Sequence, residues 1–300
     1  MAARSEIVVT LDGGLVDAGR PMVFADDPTF TRGDGVFETL LVRDGHACLL
    51  DAHLARLARS ATITDLPRPD LDRWRAAVAI AETRLTSPDD AVMRLVLGRG
   101  RGNVPSAFVA VSDLPERIAA TRRDGVSAVT LDRGVAASQG ADAPWSIAAA
   151  KSLSYAVNAA ALRHADRLGA GDVVFVGSDG FVLEGPRSSV VIQSSDGQLV
   201  TPPPASPILA GTTVNAVFET AEARGVTCVR RRLLVSELLA AQGVWLLSSI
   251  TLAARVHTLD GARLPAVADA IDMAALVDEA IAGPRRDVAR KAVVDPAVRE

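Results

Sequence analysis

Short apolar runs closed by Asp-Gly or Gly-Gly turns alternate along this chain with stretches in which apolar residues return every three or four positions. The first pattern predicts strands, the second helices. Ile7–Leu11 reads as a strand ending at Asp12-Gly13-Gly14. Val36–Val42 is a second strand, closed by Asp44-Gly45, with Cys48–Leu50 as its hairpin partner. Asp51 then caps a helix carrying Leu54, Leu57, Ala58 and Ala61 on one side. Leu71, Trp74, Val78, Ala81 and Leu85 predict a helix over 70–85, and Val92–Leu97, Ala107–Val111 and Val126–Leu131 read as strands. Together these make a first α/β unit, residues 1–132.

Residues 133–146 read as a connector, because Gly134–Pro144 is rich in Ala, Gly, Ser and Asp without periodicity. A second unit, 147–283, opens with a helix over Ser152–Leu168. Strands follow at Asp172–Val176 and, after the Ser178-Asp179-Gly180 turn, at Phe181–Glu184. Ser189–Gln193 and Gln198–Thr201 flank Asp196-Gly197, a hairpin signal. Thr212–Arg224 is a helix; Val226–Arg230, Val244–Leu247 and Arg255–Leu259 are strands; Val267–Ala282 is the last helix, before a charged tail, 284–300. The expected class is α/β (α+β) with two domains.

Composition narrows the function. Acids outnumber bases 36 to 32, and this mild net acidity lacks the basic footprint of a general nucleic-acid binder. The longest uncharged stretch, Gly197–Phe218, contains Pro202, Pro203, Pro204 and Pro207, so no membrane span is expected. Glu6 and Asp12 interrupt any apolar leader, and the expected location is the cytoplasm. Cys48 and Cys228 make no disulfide framework, and His46, His53, His164 and His257 show no ligand spacing, so no metal site is expected.

Of the 32 basic residues only Lys151 and Lys291 are Lys. Lys151 stands among Ile147, Ala148, Ala149, Ala150 and Leu153, a setting that suits a buried amine. Arg cannot lose its proton near neutral pH; a desolvated Lys can, and then it is a nucleophile. The plain alternative is a leftover surface Lys. The only tyrosine, Tyr155, lies four residues on, so on the predicted helix the two share a face; a core-facing Tyr is its plain reading.

Lys151-Ser-Leu-Ser, then a helix, Asp172-Val-Val-Phe-Val, a Ser-Asp-Gly turn and Phe181-Val-Leu-Glu184-Gly185 resemble, in that order, the class IV aminotransferases, the fold-type-IV pyridoxal-phosphate (PLP) enzymes. Arg32-Gly-Asp-Gly-Val-Phe-Glu, His53-Leu-Ala-Arg56-Leu57, Gly98-Arg99-Gly100, Leu209-Ala-Gly211-Thr212-Thr213 and Leu247-Ser248-Ser249 extend the resemblance from about Val8 to Leu264. Within the family the chain is most like the aminodeoxychorismate lyases.

The resemblance implies PLP as cofactor, with Lys151 as its covalent anchor and proton-shuttling base and Glu184 against the pyridine nitrogen. It places Arg56, Thr212 and Thr213 on the phosphate, where a helix N-terminus suits an anion. Ser248 and Ser249 would donate to phosphate or substrate, and Tyr155 would lie at the cofactor. Arg99 would clamp a substrate carboxylate, and Phe37 and Arg32 would border the substrate. Read alone, Arg56 is an exposed helix arginine, Thr212 a plain cap and Phe37 a core residue. Two positions depart from the family pattern: Ser154 stands where Asn is frequent, and Pro186-Arg187-Ser188-Ser189 replaces a small-residue run ending in Asn. Tyr155 or Ser189 is the candidate substitute for the lost hydrogen bond to the cofactor ring. The implied activity is release of pyruvate from aminodeoxychorismate, a small anionic substrate, to give 4-aminobenzoate. D-amino-acid aminotransfer and a non-catalytic PLP-binding scaffold are the alternatives, and a homodimer is implied.

Overall fold

The computed structural model describes residues 6–102, 104–139, 143, 145–265 and 270–282. The first part of the chain runs β1 (Ile7–Thr10), β2 (Leu15–Val16), α1 (Pro28–Thr31), β3 (Gly35–Arg43), β4 (His46–Ala47), α2 (Leu50–Ile63), α3 (Leu71–Glu82), β5 (Ala91–Arg101) and β6 (Val104–Asp113). Its strands form a six-stranded antiparallel sheet, β2-β1-β6-β5-β3-β4. Side chains alternate across the long central strands. On β3, Val36, Leu40 and Val42 face the core, and on β5 Ala91, Met93, Leu95 and Leu97 do the same, packing on Leu54, Leu57 and Ala61 of α2 and Trp74 of α3. The opposite face carries Phe37, Thr39, Val92, Arg94 and Val96, which line a cleft.

The rest runs α4 (Glu116–Asp124), β7 (Val126–Asp132), α5 (Ala156–Arg167), β8 (Asp172–Val176), β9 (Ser189–Gln193), β10 (Leu199–Thr201), α6 (Thr212–Ala223), β11 (Cys228–Arg230), α7 (Val235–Ala240), β12 (Gly243–Ser248), β13 (Leu252–Leu259), β14 (Ala262–Arg263) and α8 (Met273–Ala282). These strands form a second, eight-stranded sheet, β11-β10-β9-β12-β13-β7-β8, with β14 on β13. It is buried on both faces. Val191, Trp245 and Leu247 pack under α6 and α8, while Val190, Ile192, Val244 and Leu246 pack with Leu233 and Leu238 on the other side. Burial on both faces explains why these strands read as continuous apolar runs. Two sheets with attendant helices are what the α/β (α+β) reading expects.

Several boundaries differ from the sequence reading. Asp44 and Gly45 both have positive φ, so the two-residue turn sets His46 opposite Arg43 and the ladder ends at Ala47. The hairpin partner is therefore His46–Ala47, not Cys48–Leu50. Leu49, not Asp51, is the residue before α2; Asp51 lies in the first turn and pairs with Arg75. The strand read at Val126–Leu131 as the end of the first unit belongs to the second sheet, pairing with β8 and β13. Phe181–Glu184 forms only isolated bridges, Val182 to Val176 and Phe181 to Leu234. The last helix begins at Met273; positions 266–269 of the predicted span and the tail 284–300 lie outside the described residues. Helix α4 went unread because ERIAATRRD buries only Ile118.

The helix predicted over Ser152–Leu168 starts at Ala156. Residues 151–153 are extended instead and dock on the edge of β3 that the short β4 leaves open. Phe37 N–H donates to Lys151 O at 2.9 Å, and Leu153 N–H to Gly35 O at 2.8 Å. Gly35 permits this approach: a Cβ there would lie 2.7 Å from Leu153 Cδ1 and 2.8 Å from Gly98 Cα and Leu97 O. Two of these neighbours are backbone atoms within the ladder, which cannot give way locally. Gly35→Ala is therefore expected to destabilise the protein by about 1–3 kcal/mol, the usual range for overpacking. Urea denaturation checks this; an unchanged midpoint would show that the docking is loose.

Candidate active site

The cleft, about 540 Å³, lies between the exposed face of β3 and β5 and the loops of the second sheet. Lys151 stands in its wall with both backbone groups fixed: its N–H donates to Ser60 Oγ of α2 at 3.1 Å, and its carbonyl accepts from Phe37. Its Nζ sits 4.6 Å from the centre of the Phe37 ring. Burial, helped by the nearby Arg56 charge, pulls this amine down to about 8, with Glu38 and Glu184 pulling weakly the other way. A minor neutral fraction, about one tenth at pH 7, therefore exists, far more than an ordinary lysine offers.

Tyr155 and Lys151 do not share a helix face, because Tyr155 precedes α5 and Lys151 is extended. Phe37 joins them instead: the Tyr155 ring meets it edge-on, centroids 5.7 Å apart at 84°. The Tyr155 hydroxyl donates to Pro186 O, which also accepts from Asn158 Nδ2 at 2.6 Å. Burial holds this phenol up at about 12, so it stays protonated.

Glu184 is buried in the same cleft. Its Oε2 accepts from Leu209 N–H at 3.1 Å and its Oε1 from Arg133 Nη1 at 3.4 Å. Burial pushes the carboxyl up to about 7 against the pull of Arg133 and the Leu209 N–H. The acid thus stands ready to share a proton with a basic partner.

Arg56 is not an exposed helix arginine. It is buried, with Nε and Nη2 on the two oxygens of Glu38 at 2.8 and 2.7 Å and Nη1 on Ala210 O at 3.1 Å. Ala210 leads directly into α6, whose first residues, Thr212 and Thr213, are buried and line the cleft. The first-turn N–H groups of a helix lack intrahelical acceptors, so Arg56 and the α6 N-terminus bring donors to the same part of the cleft. Ser249 Oγ lies 3.5 Å from Thr213 Oγ1, and Ser248 Oγ accepts from Thr251 N–H at 3.1 Å. Ser188 Oγ, also in the cleft, is buried without a hydrogen-bond partner among the described residues.

Two predicted substrate residues lie elsewhere. Arg99 is outside the cleft lining. Its guanidinium forks onto Asp34 at 3.1 Å through Nε and Nη2 and donates to Thr64 O and Asp65 O at the end of α2. The Arg99 donors thus staple the loop before β3 to the end of α2, and within this chain the expected carboxylate clamp does not line the cleft. Arg32 is exposed outside the cleft, where its carbonyl accepts from Ser154 Oγ at 3.4 Å. In their place the cleft presents Arg94, Arg117 and Arg187. Arg187 approaches Asp172 only to 3.7 Å, and among the described residues Arg94 and Arg117 have no ion-pair partner.

Sequence reasoning also missed Glu38 and His53. Both are fully buried, and His53 Nδ1 lies 2.7 Å from Glu38 Oε2. A signal was present: Glu38 falls on the same strand parity as Val36, Leu40 and Val42, where a charge needs a buried partner, and His53 and Arg56 lie three apart on one helix face.

An amine held partly neutral, a buried carboxyl with a raised proton affinity and a helix N-terminus beside a buried arginine in one cleft define an enzyme that works on amines. The description "Amino-transferase class IV" matches residues 35–259, and the chain belongs to that family. It is 57% identical over 289 residues to a bifunctional aminodeoxychorismate lyase / D-amino acid transaminase of Mycobacterium tuberculosis, covering 93% of this chain and 100% of the relative. Two solved structures of a hypothetical aminotransferase from that organism superpose with TM-score 0.90 at 58% identity, over 92% of this chain and 98% of theirs. One is a PLP-bound form, the other an alpha-ketoglutarate and PMP bound form.

Proposed function

We propose that the chain is a PLP-dependent 4-amino-4-deoxychorismate lyase, releasing pyruvate and forming 4-aminobenzoate. The observation that carries this is one cleft lined by Lys151, its amine near 8, by buried Glu184, near 7, and by the α6 N-terminus. The residues present fit the cofactor: the unpartnered Ser188 Oγ needs a polar ligand atom, and Arg56 with the first turn of α6 suits a phosphate.

When bound, PLP supplies an electron-accepting ring that stabilises negative charge at the carbon bearing the substrate amine. Lys151 is the nucleophile that holds the cofactor. The same amine, when unbound, would be the base that takes the proton from C4 of the substrate. Glu184 would hold the pyridine end of the cofactor, and its raised proton affinity suits it to share a proton with a ring nitrogen there. Phe37 and Tyr155 wall the amine off from water. With the C4 proton gone, the bond from the substrate ring to the enolpyruvyl oxygen would break, the ring would become aromatic, and the departing enolpyruvate would take up a proton, equivalent to the one Lys151 removed, to become pyruvate.

D-amino-acid transamination on the same site is the second reading, and the bifunctional relative favours it. One paired assay separates the two. Pyruvate release from aminodeoxychorismate without a 2-oxo acid supports the lyase. No release, with D-alanine consumed when 2-oxoglutarate is present, overturns it.

Both aminodeoxychorismate and 2-oxoglutarate carry two carboxylates, and the cations such anions meet in the cleft are Arg94 and Arg117, which have no ion-pair partner among the described residues, and Arg187, whose pair with Asp172 is long at 3.7 Å. Arg117→Ala and Arg187→Ala are each expected to raise KM for either dianion by roughly tenfold with little loss of kcat, the signature of lost binding. Equal effects on D-alanine, with its single carboxylate, would show that these arginines do not read the second charge. The chain is proposed to act as a homodimer, supported by the strong exposure of Phe30, Trp145 and Val157; light scattering that finds the mass of one chain would remove that proposal.

A further inference from the structure

Glu38 and His53 touch no atom that reacts in the proposed chemistry, yet they are the two most deeply buried ionisable side chains beside the site. Glu38 accepts three charge-assisted or short hydrogen bonds: Arg56 Nε on Oε1, and Arg56 Nη2 and His53 Nδ1, both at 2.7 Å, on Oε2. Arg56 holds its carboxyl low, at about 2, against the cost of burial. A carboxylate is acceptor-only, so the proton on His53 is on Nδ1. Burial also keeps His53 neutral. Its Nε2 is therefore an acceptor with a single lone pair, and two hydroxyls compete for it: Ser249 at 3.2 Å and Thr212 at 3.4 Å.

The geometry follows from one residue. The two-point grip on Nε and Nη2 fixes the plane of the Arg56 guanidinium, so Nη1, already on Ala210 O, points along the start of α6. Through His53 the same carboxylate orients whichever of Ser249 and Thr212 donates to Nε2 and leaves the other hydroxyl free to donate outward. Arg56, Thr212 and Ser249 approach from three different parts of the chain, and Glu38 is bonded to the first and linked through His53 to one of the other two at a time.

We infer that Glu38, acting through Arg56 and His53, is the positioning residue of the phosphate subsite, which preorganises these donors for a phosphate monoester dianion. The inference rests on the proposed cofactor reading but concerns the phosphate alone. It differs from a merely structural role, in which Glu38 would only neutralise a buried arginine.

The test compares PLP with pyridoxal, which lacks the phosphate, by titrating each into the cofactor-stripped full-length protein and following its absorbance. Glu38→Gln keeps the shape and one acceptor oxygen but removes the charge. It is expected to raise Kd for PLP by about 10- to 100-fold, the range seen when the outer partners of ligand-holding groups are removed. Kd for pyridoxal should stay within about twofold, and kcat at saturating PLP should be largely retained. His53→Asn, which can still donate to Glu38, is the milder second variant, should Glu38→Gln fold poorly. It is expected to shift PLP affinity in the same direction without moving pyridoxal. Parallel loss of PLP and pyridoxal affinity, or no loss of either, in the variant that folds would overturn the inference. Failure of the parent protein to bind either compound would instead sink the cofactor reading itself.

Discussion

Lys151→Ala is expected to lower turnover by about 10⁴-fold or more and to abolish the visible absorbance of the cofactor-loaded enzyme, because one amine serves as both covalent anchor and base. Lys151→Arg tests why a chain that otherwise uses Arg keeps Lys here. The guanidinium fits the same charge above the Phe37 ring but cannot deprotonate, so it should be as inactive as alanine while preserving the fold. The pH dependence has a definite sign. The neutral amine is the reacting form, and its conjugate acid titrates near 8 in the cofactor-free protein. The rate of PLP uptake should therefore rise with pH and level off above about 8. A rate flat from pH 6 to 9 would mean that Lys151 is not the group that attacks.

The second large effect is at Glu184. Glu184→Gln is expected to cost roughly 10²–10³-fold in kcat, comparable to loss of one preorganised electrostatic partner, because Gln cannot share a proton with the pyridine nitrogen. Stability should move the other way. Burial raises the folded-state pKa from its ordinary 4.5 to about 7. The native state therefore binds the proton more tightly than the unfolded chain, and the stability this gives is fully present below about 4.5 and lost as pH rises through about 7. The permanently neutral Gln should hence raise the melting temperature of the cofactor-free protein at pH 8, and the difference should shrink at pH 5. Normal turnover in Glu184→Gln would remove the carboxyl from the mechanism; a lowered melting temperature at pH 8 would show that its bond to Arg133 outweighs its burial.

The sequence made the reactive end of the site legible because its chemistry is compositional. Lys151 stands out against thirty arginines, and Glu184 follows an apolar run. The Gly211-Thr212-Thr213 start of α6 was legible as a helix N-terminus, since caps and helix periodicity are local properties. The engagement of Arg99 by Asp34, from the loop before β3, was not legible, because a resemblance assigns a role but not the contacts a side chain makes within its own chain. Glu38, His53 and the cleft arginines stayed hidden because their meaning depends on contacts between distant elements. So did the membership of β7 in the second sheet, which is set by parallel pairing with β8 and β13. The extended path of Lys151–Leu153 overrode a helical pattern because the open edge of β3 offered it main-chain hydrogen bonds.

That docked segment also bears on how the protein fails. An uncovered strand edge is a template for pairing with other molecules, and residues 151–153 are what caps β3 between Gly35 and Phe37. Peeling them away would release the amine from its wall and expose a sticky ribbon in the same event. Inactivation and aggregation should therefore begin together on heating. In hydrogen exchange, the amides of Phe37 and Leu153 should open as one unit, and that opening should become rarer when cofactor is held.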